Sequence, residues 1–487
     1  MDATFFIAFV QFNKNKDQMM TTNSVANQLQ SEKTEMRRDV TLFGGISVLA
    51  GIMIGSGIFY IGAIVLQRAG MSPGLSLLVW LIGGLVTLLS GICFAELGAM
   101  IPKAGGYYVY LREAYGERIA FMCGFGNFCL SNPGSIAALA VAFAAALNSI
   151  WTIDPISQKV IAISTVLLLT LINIRGVGIG SRLGNVFMVL KMLPILLILF
   201  AGLLLGEESP DLFMYPGELP SISTILSMIG FAVIATLWAY EGWTNLNNIA
   251  EEIKNPKRNI PLALILAIVG VALLYVLFNY AIFRVVPYGK IVEMVESGNY
   301  YLGTEAANML FGSAGLYIVG AAMILAIFSS LNGCVLAFPR MTYAMARDGA
   351  FFKPFAKLHP TYRTPINAQL ASAVLAIVLI LSRTLGELTS LVALCGMIFH
   401  GMTFFAVIVL RRKYPDLERP YRVWFYPIPI LIICAVMIGL IINTIGNDPI
   451  TVVLGFIVPL LGLGIYEVMF RKQHDAQVAA QAKENGE

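Results

Sequence analysis

Twelve apolar runs constrain this chain more than any other feature. Their approximate limits are 40–66, 75–100, 121–148, 158–174, 183–205, 222–250, 261–286, 315–340, 366–382, 388–410, 424–443 and 451–470. A helix rises about 1.5 Å per residue, so roughly 20 residues cross the hydrocarbon of a bilayer. Each run therefore reads as a transmembrane helix. Composition agrees, since 12% of the 487 residues are charged, against about 25% in a water-soluble domain. The chain reads as an all-α integral membrane protein. Residues 1–38 form a polar tail expected to be disordered and cytoplasmic, and 39–470 form the membrane domain. Residues 471–487 form a second cytoplasmic tail. The short apolar start Phe5–Val10 is too brief for a span and lacks the flanks of a signal peptide.

Basic residues orient the chain. With the N-terminus inside, 26 of the 32 Lys and Arg fall on the cytoplasmic side. Five fall outside (Arg68, Lys159, Arg284, Lys290 and Arg383), and Lys191 lies within a span. Such a bias fits an even number of spans with both ends in the cytoplasm of a cell membrane. The six cysteines sit in or beside apolar runs and read as small hydrophobes, not as a disulfide framework or metal site. No N-x-S/T glycosylation acceptor occurs.

The first span is interrupted at Ile54-Gly55-Ser56-Gly57-Ile58. Each glycine costs a helix about 1 kcal/mol against alanine. Backbone freed at mid-membrane persists only where protein buries it or it lines a cavity. One reading is a broken helix whose loose peptide groups bind a polar solute; the other is close helix packing through Gly51 and Gly55. The sixth span carries a second interruption, Trp238-Ala239-Tyr240-Glu241-Gly242. Two discontinuous helices five spans apart suit a five-plus-five inverted repeat with the site where they meet. The repeats would cover about 40–205 and 222–410, with two extra helices at about 424–470. Helix N-termini suit a carboxylate and freed carbonyls suit an ammonium, which together describe a free amino acid.

Lys191 lies about nine residues into the fifth span. A lysine at that depth costs several kcal/mol, roughly, unless paired or reaching water. Its ammonium either occupies a place that a coupling sodium could take, against carbonyls of the first break, or snorkels to the cytoplasmic surface. Tyr107, Tyr108 and Tyr110, in residues 102–118, read as anchors of an interfacial helix. Glu96, Glu251 and Glu252 face cytoplasmic arginines as an inner gate or as surface pairs worth about 0–1 kcal/mol. Glu252 reads as such a surface pair, whereas Glu96 fits either. The outer connection 287–312 is expected to cover the extracellular mouth.

These motifs resemble the L-type amino acid transporter (LAT) family of the amino acid–polyamine–organocation superfamily, in a bacterial-type member. The matching pieces are IGSGIF (54–59), FAELGAMIPKAGGYYVYLREAYG (94–116), WAYEGWTNLNNIAEEIKNPKRNIPLA (238–263), SSLNG (329–333), RMTYAMARDG (340–349) and PDLERPYRV (415–423). The resemblance implies a leucine-transporter-like fold. It also implies substrate contacts at Ile54, Gly55, Ser56, Gly57, Ile58, Trp238, Ala239, Tyr240 and Glu241. Trp238 matches the aromatic lid of the family, and Lys191 is similar to the lysine that makes many relatives independent of sodium. Asn132, Ser135 and Ser330 are weaker pocket candidates, because Ser and Asn within spans often bond their own helix.

Two departures stand out. Animal LAT light chains carry a cysteine between the third and fourth spans that bridges to a heavy chain, and residues 150–158 contain none. No disulfide-linked heavy chain is expected. Glu241 stands where many neutral exchangers have glycine, and an acid there marks the branch that accepts dibasic amino acids. The carboxylate either pairs a cationic side chain or, protonated or capping a helix end, shapes the break.

No Ser/His/Asp, HExxH or metal cluster appears, and His400 reads as a helix-packing residue. An acyltransferase and a channel are the remaining alternatives to a transporter. The expected function is sodium-independent exchange of neutral L-amino acids by alternating access. Cationic transport through Glu241 and proton coupling through Lys191 are its variants. No cofactor, metal or nucleic acid is expected.

Overall fold

A computed structural model describes residues 29–30, 34–148, 151–217, 220–382, 385–447 and 449–471. Side chains of 383–397, 440 and 443–455 lie outside that description, as do most of the N-terminal tail and the tail after 471. The expectations of disorder there, and the side chain of Cys395, fall outside the described residues.

The first apolar run forms α1 (Leu42–Met53), a 3-10 turn (Ser56–Phe59) and α2 (Ile61–Arg68). Next come α3 (Pro73–Met100) and the short α4 (Tyr107–Tyr115). α5 (Glu117–Gly126), a π-turn (Asn127–Ser131) and α6 (Asn132–Asn148) make one long rod. α7 (Pro155–Ile174) and α8 (Val177–Leu205) follow. The sixth run divides into α9 (Ile222–Ala239), the single turn α10 (Asn245–Asn248) and a 3-10 turn (Ala250–Glu252). α11 (Pro256–Val285) leads to two connecting helices, α12 (Tyr288–Glu296) and α13 (Leu302–Phe311). α14 (Ala314–Ala337) and α15 (Pro339–Arg347) join almost end to end. The chain closes with α16 (Ile366–Ser382), α17 (Leu385–Lys413), α18 (Ile428–Asn447) and α19 (Pro449–Ile465).

Local sequence explains where these helices begin. Thr41 caps α1 by accepting the Gly44 N–H, and Ser72 and Asp154 cap α3 and α7 just before prolines at the first helical position. Among the described residues seven helices are long and apolar enough to cross a membrane. They are α3, Glu117–Asn148, α7, α8, α9, α11 and Ala314–Arg347, with shorter apolar helices besides, α1 and α16 among them. Their outward faces carry Leu81, Leu85, Leu171, Leu193 and Phe200, all exposed, as a lipid-facing surface requires.

Two packing groups share the core. α11 packs along α3 and α1, and α9 lies against α3 and α2. α14 packs along α8 and α6, and α16 along α6 and α7. The groups meet where α1 contacts α8 and α14. A parallel bridge between Val40 and Ile253 ties the chain just before α1 to the chain just after α10.

Candidate functional site

α1 stops at Met53 because Gly55-Ser56-Gly57 cannot extend it. Ile54 is its last donor, to Ala50 O at 2.9 Å, and the Gly55 backbone is extended. Carbonyls at this end of α1 meet side-chain donors from other helices. Lys191 Nζ donates to Gly51 O (2.8 Å), Ile54 O (2.7 Å) and Ala50 O (3.3 Å). Ser330 Oγ donates to Gly51 O at 2.9 Å and approaches Ile52 O at 3.2 Å. Tyr275 Oη lies 2.8 Å from Met53 O. Lys191 is fully buried and does not snorkel. An ammonium has three protons and no acceptor, so three carbonyls are its full complement. Gly51 also serves close packing, since a Cβ there would stand 3.3 Å from Ser329 Oγ.

The second break sits directly against the first. α9 ends at Ala239, and Gly242 adopts a φ of +120°, which L side chains rarely take. A Cβ on Gly242 would lie 2.5 Å from Ile52 Cγ2, so glycine permits both the turn and the approach. Tyr275 joins the two breaks, its hydroxyl being 3.0 Å from Ala239 O. It offers one proton to two carbonyls on different helices.

A cavity of about 1010 Å³ opens beside both breaks, the upper size for a small-ligand pocket. Gly55, Ser56, Gly57, Trp238, Ala239 and Glu241 line it, as do Asn132, Ser135 and Ser330. The N–H groups of Ser56 and Gly57 open the 3-10 turn, where a helix has no internal partner for them. Ile54, Ile58 and Tyr240, expected at the site, are buried and do not line the cavity. Tyr240 instead donates to Trp80 O at 3.0 Å. Ser135 bonds its own helix at Ser131 O (2.8 Å), whereas Ser330 bonds across to α1. Glu241 is exposed to the cavity with no side-chain partner among the described residues.

Further lining residues were not read from the sequence. The π-turn brings Asn127 and Ser131 to the cavity, as such bulges often do at functional sites. α10 contributes Asn245 and Asn248, and α17 contributes His400. At one end, α13 and its approach supply Tyr301, Thr304 and Asn308, with Tyr301 5.7 Å from Tyr60 between ring centres. Trp238 is 46% exposed on that side, so it does not seal the mouth. The connection 287–312 thus rims the cavity.

The opposite end is closed by charge. The Arg340 guanidinium holds Glu252 through Nε at 2.7 Å and Nη2 at 3.3 Å, with both side chains fully buried. This corrects the reading of Glu252 as a surface pair. α15 and the segment after α10 cover it from both sides, which flanking sequence does not reveal. Arg347 binds Glu251 at 2.7 Å, and Arg112 pairs with Asp348. Glu96, 1% exposed, is clasped by Arg411 Nε (2.7 Å) and Nη2 (2.6 Å), and it accepts the Val423 N–H. Tyr107, Tyr108 and Tyr110 are buried, not interfacial. Tyr107 donates to Asn127 Oδ1 and Tyr108 to Glu117, while Tyr110 accepts from Asn247.

Tyr275→Phe tests the link between the breaks. It removes a hydrogen bond worth about 1 kcal/mol, and the Kd for a solute held at the breaks is expected to rise about fivefold with folding intact. Titration of the purified protein checks this, and an unchanged Kd removes Tyr275 from the site.

Residues 40–464 match the family model described as amino acid permease. The chain is 33% identical over 447 residues to the serine/threonine exchanger SteT of Bacillus subtilis, covering 91% of this chain and all of that protein. It is 31% identical to the b(0,+)-type amino acid transporter 1 of Mus musculus, over 85% of this chain and 84% of that one. It is 29% identical to the cystine/glutamate transporter of Homo sapiens, over 89% and 86%.

Proposed function

We propose, from the premise that this chain belongs to the amino acid permease family, that it is a sodium-independent exchanger of free amino acids. The family and these relatives are transporters, not enzymes. Relatives named as a serine/threonine exchanger and as amino acid transporters support exchange here. In this reading the protein has twelve spans in a five-plus-five inverted repeat, with both termini in the cytoplasm and the charged end inside. α1, α3, α9 and α11 rock against the helices around α6, α8 and α14 about a site at mid-membrane.

The observation that carries the reading is the pairing of opposite termini at the two breaks. Unpaired N–H groups at Ser56 and Gly57 suit the substrate carboxylate, and the carbonyl end of α9 beside Ala239 suits its ammonium. Lys191 already holds the carbonyls that a coupling sodium would need. Neutral L-amino acids are the proposed substrates. The test is proteoliposomes loaded with each of the twenty amino acids and challenged with labelled substrate, with and without sodium or pH gradients. Uptake that requires both an internal amino acid and no sodium supports the reading. Uptake driven by sodium overturns it, and uptake driven by protons points to Lys191 as a proton carrier.

One observation favours a second reading. Glu241 faces the cavity without a side-chain partner among the described residues, so a cationic side chain could pair with it. Glu241→Gly is then expected to weaken uptake of lysine or arginine about tenfold or more, and alanine far less. Equal loss of both, in parallel uptake assays, assigns Glu241 to shaping the break.

A further inference from the structure

The cavity extends past Trp243 into a chamber toward the charged end, lined by Tyr107, Asn127, Asn245, Asn248 and His400. Most of the polar groups here are spent on one another. Tyr107 donates to Asn127 Oδ1 at 2.7 Å, Asn127 Nδ2 donates to Cys123 O at 2.8 Å, and Asn245 Nδ2 donates to Gly242 O at 3.0 Å. Asn248 Oδ1 is unpartnered but packed against Gly106, shut off from the chamber. His400 is 8% exposed, lines the chamber, and has no hydrogen-bond partner among the described residues. Aromatic rings hold it in place, Tyr107 at 5.1 Å, Trp243 at 5.9 Å and Phe94 at 6.1 Å between centres. Among the described residues these contacts are ring against ring, with no hydrogen bond to the imidazole nitrogens.

We propose that this chamber is the subsite for the substrate side chain, and that His400 makes it select a hydroxyl or carboxamide over an apolar group of the same shape. The proposal rests on the amino acid exchange reading above. A neutral imidazole offers one donor and one acceptor. Only a group that both gives and takes a hydrogen bond satisfies the set. A hydroxyl or a carboxamide does so. An ammonium only donates and a carboxylate only accepts. An apolar side chain would bury the imidazole unpaired, which is how sites built for hydrogen bonding reject analogues that lack them.

Threonine and valine differ by hydroxyl against methyl at nearly constant shape, so their ratio isolates the effect. Binding is read on the purified full-length protein by the rise in melting temperature with concentration of each amino acid. Exchange is read separately, as displacement of preloaded labelled serine from proteoliposomes. Threonine is expected to bind at least about tenfold more tightly than valine. In His400→Phe, which fits the same aromatic nest, the ratio falls to about one or below. His400→Gln, which keeps a donor and an acceptor, retains the preference for threonine. A side chain that merely packs would leave the ratio unmoved by either change. Equal binding of threonine and valine by the unmodified protein overturns the proposal, as does a His400→Phe ratio equal to the unmodified one. If His400→Phe fails to fold, the unmodified ratio and that of His400→Gln still decide. Binding with the expected ratio but no displacement of serine overturns the exchange reading and leaves the subsite standing.

Discussion

Lys191→Ala is expected to cut amino acid exchange at least tenfold, about 1.4 kcal/mol, while the protein still folds. The ammonium is fully buried and is the sole side-chain donor found for Ile54 O among the described residues. Ala50 O keeps its helical bond from Ile54 and Gly51 O keeps Ser330, so the helix itself does not depend on the lysine. Ile54 O, next to Gly55 and Gly57, is left unmet at membrane depth. An orphaned buried acceptor costs about 1–3 kcal/mol, and the turn that presents the Ser56 and Gly57 N–H groups is free to shift to relieve it. Size-exclusion profiles in detergent report folding, and vesicle exchange reports function. Unchanged exchange removes the lysine from the mechanism. A second readout is sodium: the vacated carbonyls form an oxygen-lined place for a small cation, so sodium-stimulated exchange in Lys191→Ala alone would identify that place directly.

The features behind this prediction are legible because they contradict their surroundings. Gly55-Ser56-Gly57, Glu241-Gly242 and Lys191 are each wrong for an apolar helix, and such conflicts mark functional positions. The structure indeed interrupts the first and sixth runs at those residues. What stayed hidden lacks a local conflict. Tyr275 looks like any aromatic within a span, and its role depends on Met53, 222 residues away. The π-turn at Asn127–Ser131 has no glycine or proline inside it. Tyr107, Tyr108 and Tyr110 follow the end of an apolar run, where tyrosine is common at the lipid interface. Only the covering helices, α17 among them, reveal that they are inside. A sequence pattern reports which face of an element is apolar, but not which distant element will cover it.

Glu252 illustrates the same limit and carries the second large effect. Arg340→Ala is expected to destabilise the folded protein by about 3–5 kcal/mol, because it strands a buried carboxylate without its counter-charge. The pair spans the Glu252 segment after α10 and the start of α15, elements from the two packing groups. Its loss therefore also weakens the closed charged end. Replacing both residues by apolar ones of similar length, Arg340→Met with Glu252→Met, removes the stranded charge as well. Buried ion pairs exchanged whole for well-packed apolar side chains are often neutral or stabilising. The double variant should thus recover most of the lost melting temperature in detergent. Exchange separates fastening from gating. If the pair only fastens the fold, the recovered double variant transports like the unmodified protein. If the pair must form and break in each cycle, the double variant is stable but slow, with its closed end opening at a different rate. A cysteine placed at Ala344, buried on α15, reads that opening by its rate of thiol labelling. Should Arg340→Ala melt with the unmodified protein, the burial of this pair would contribute nothing to holding the charged end shut.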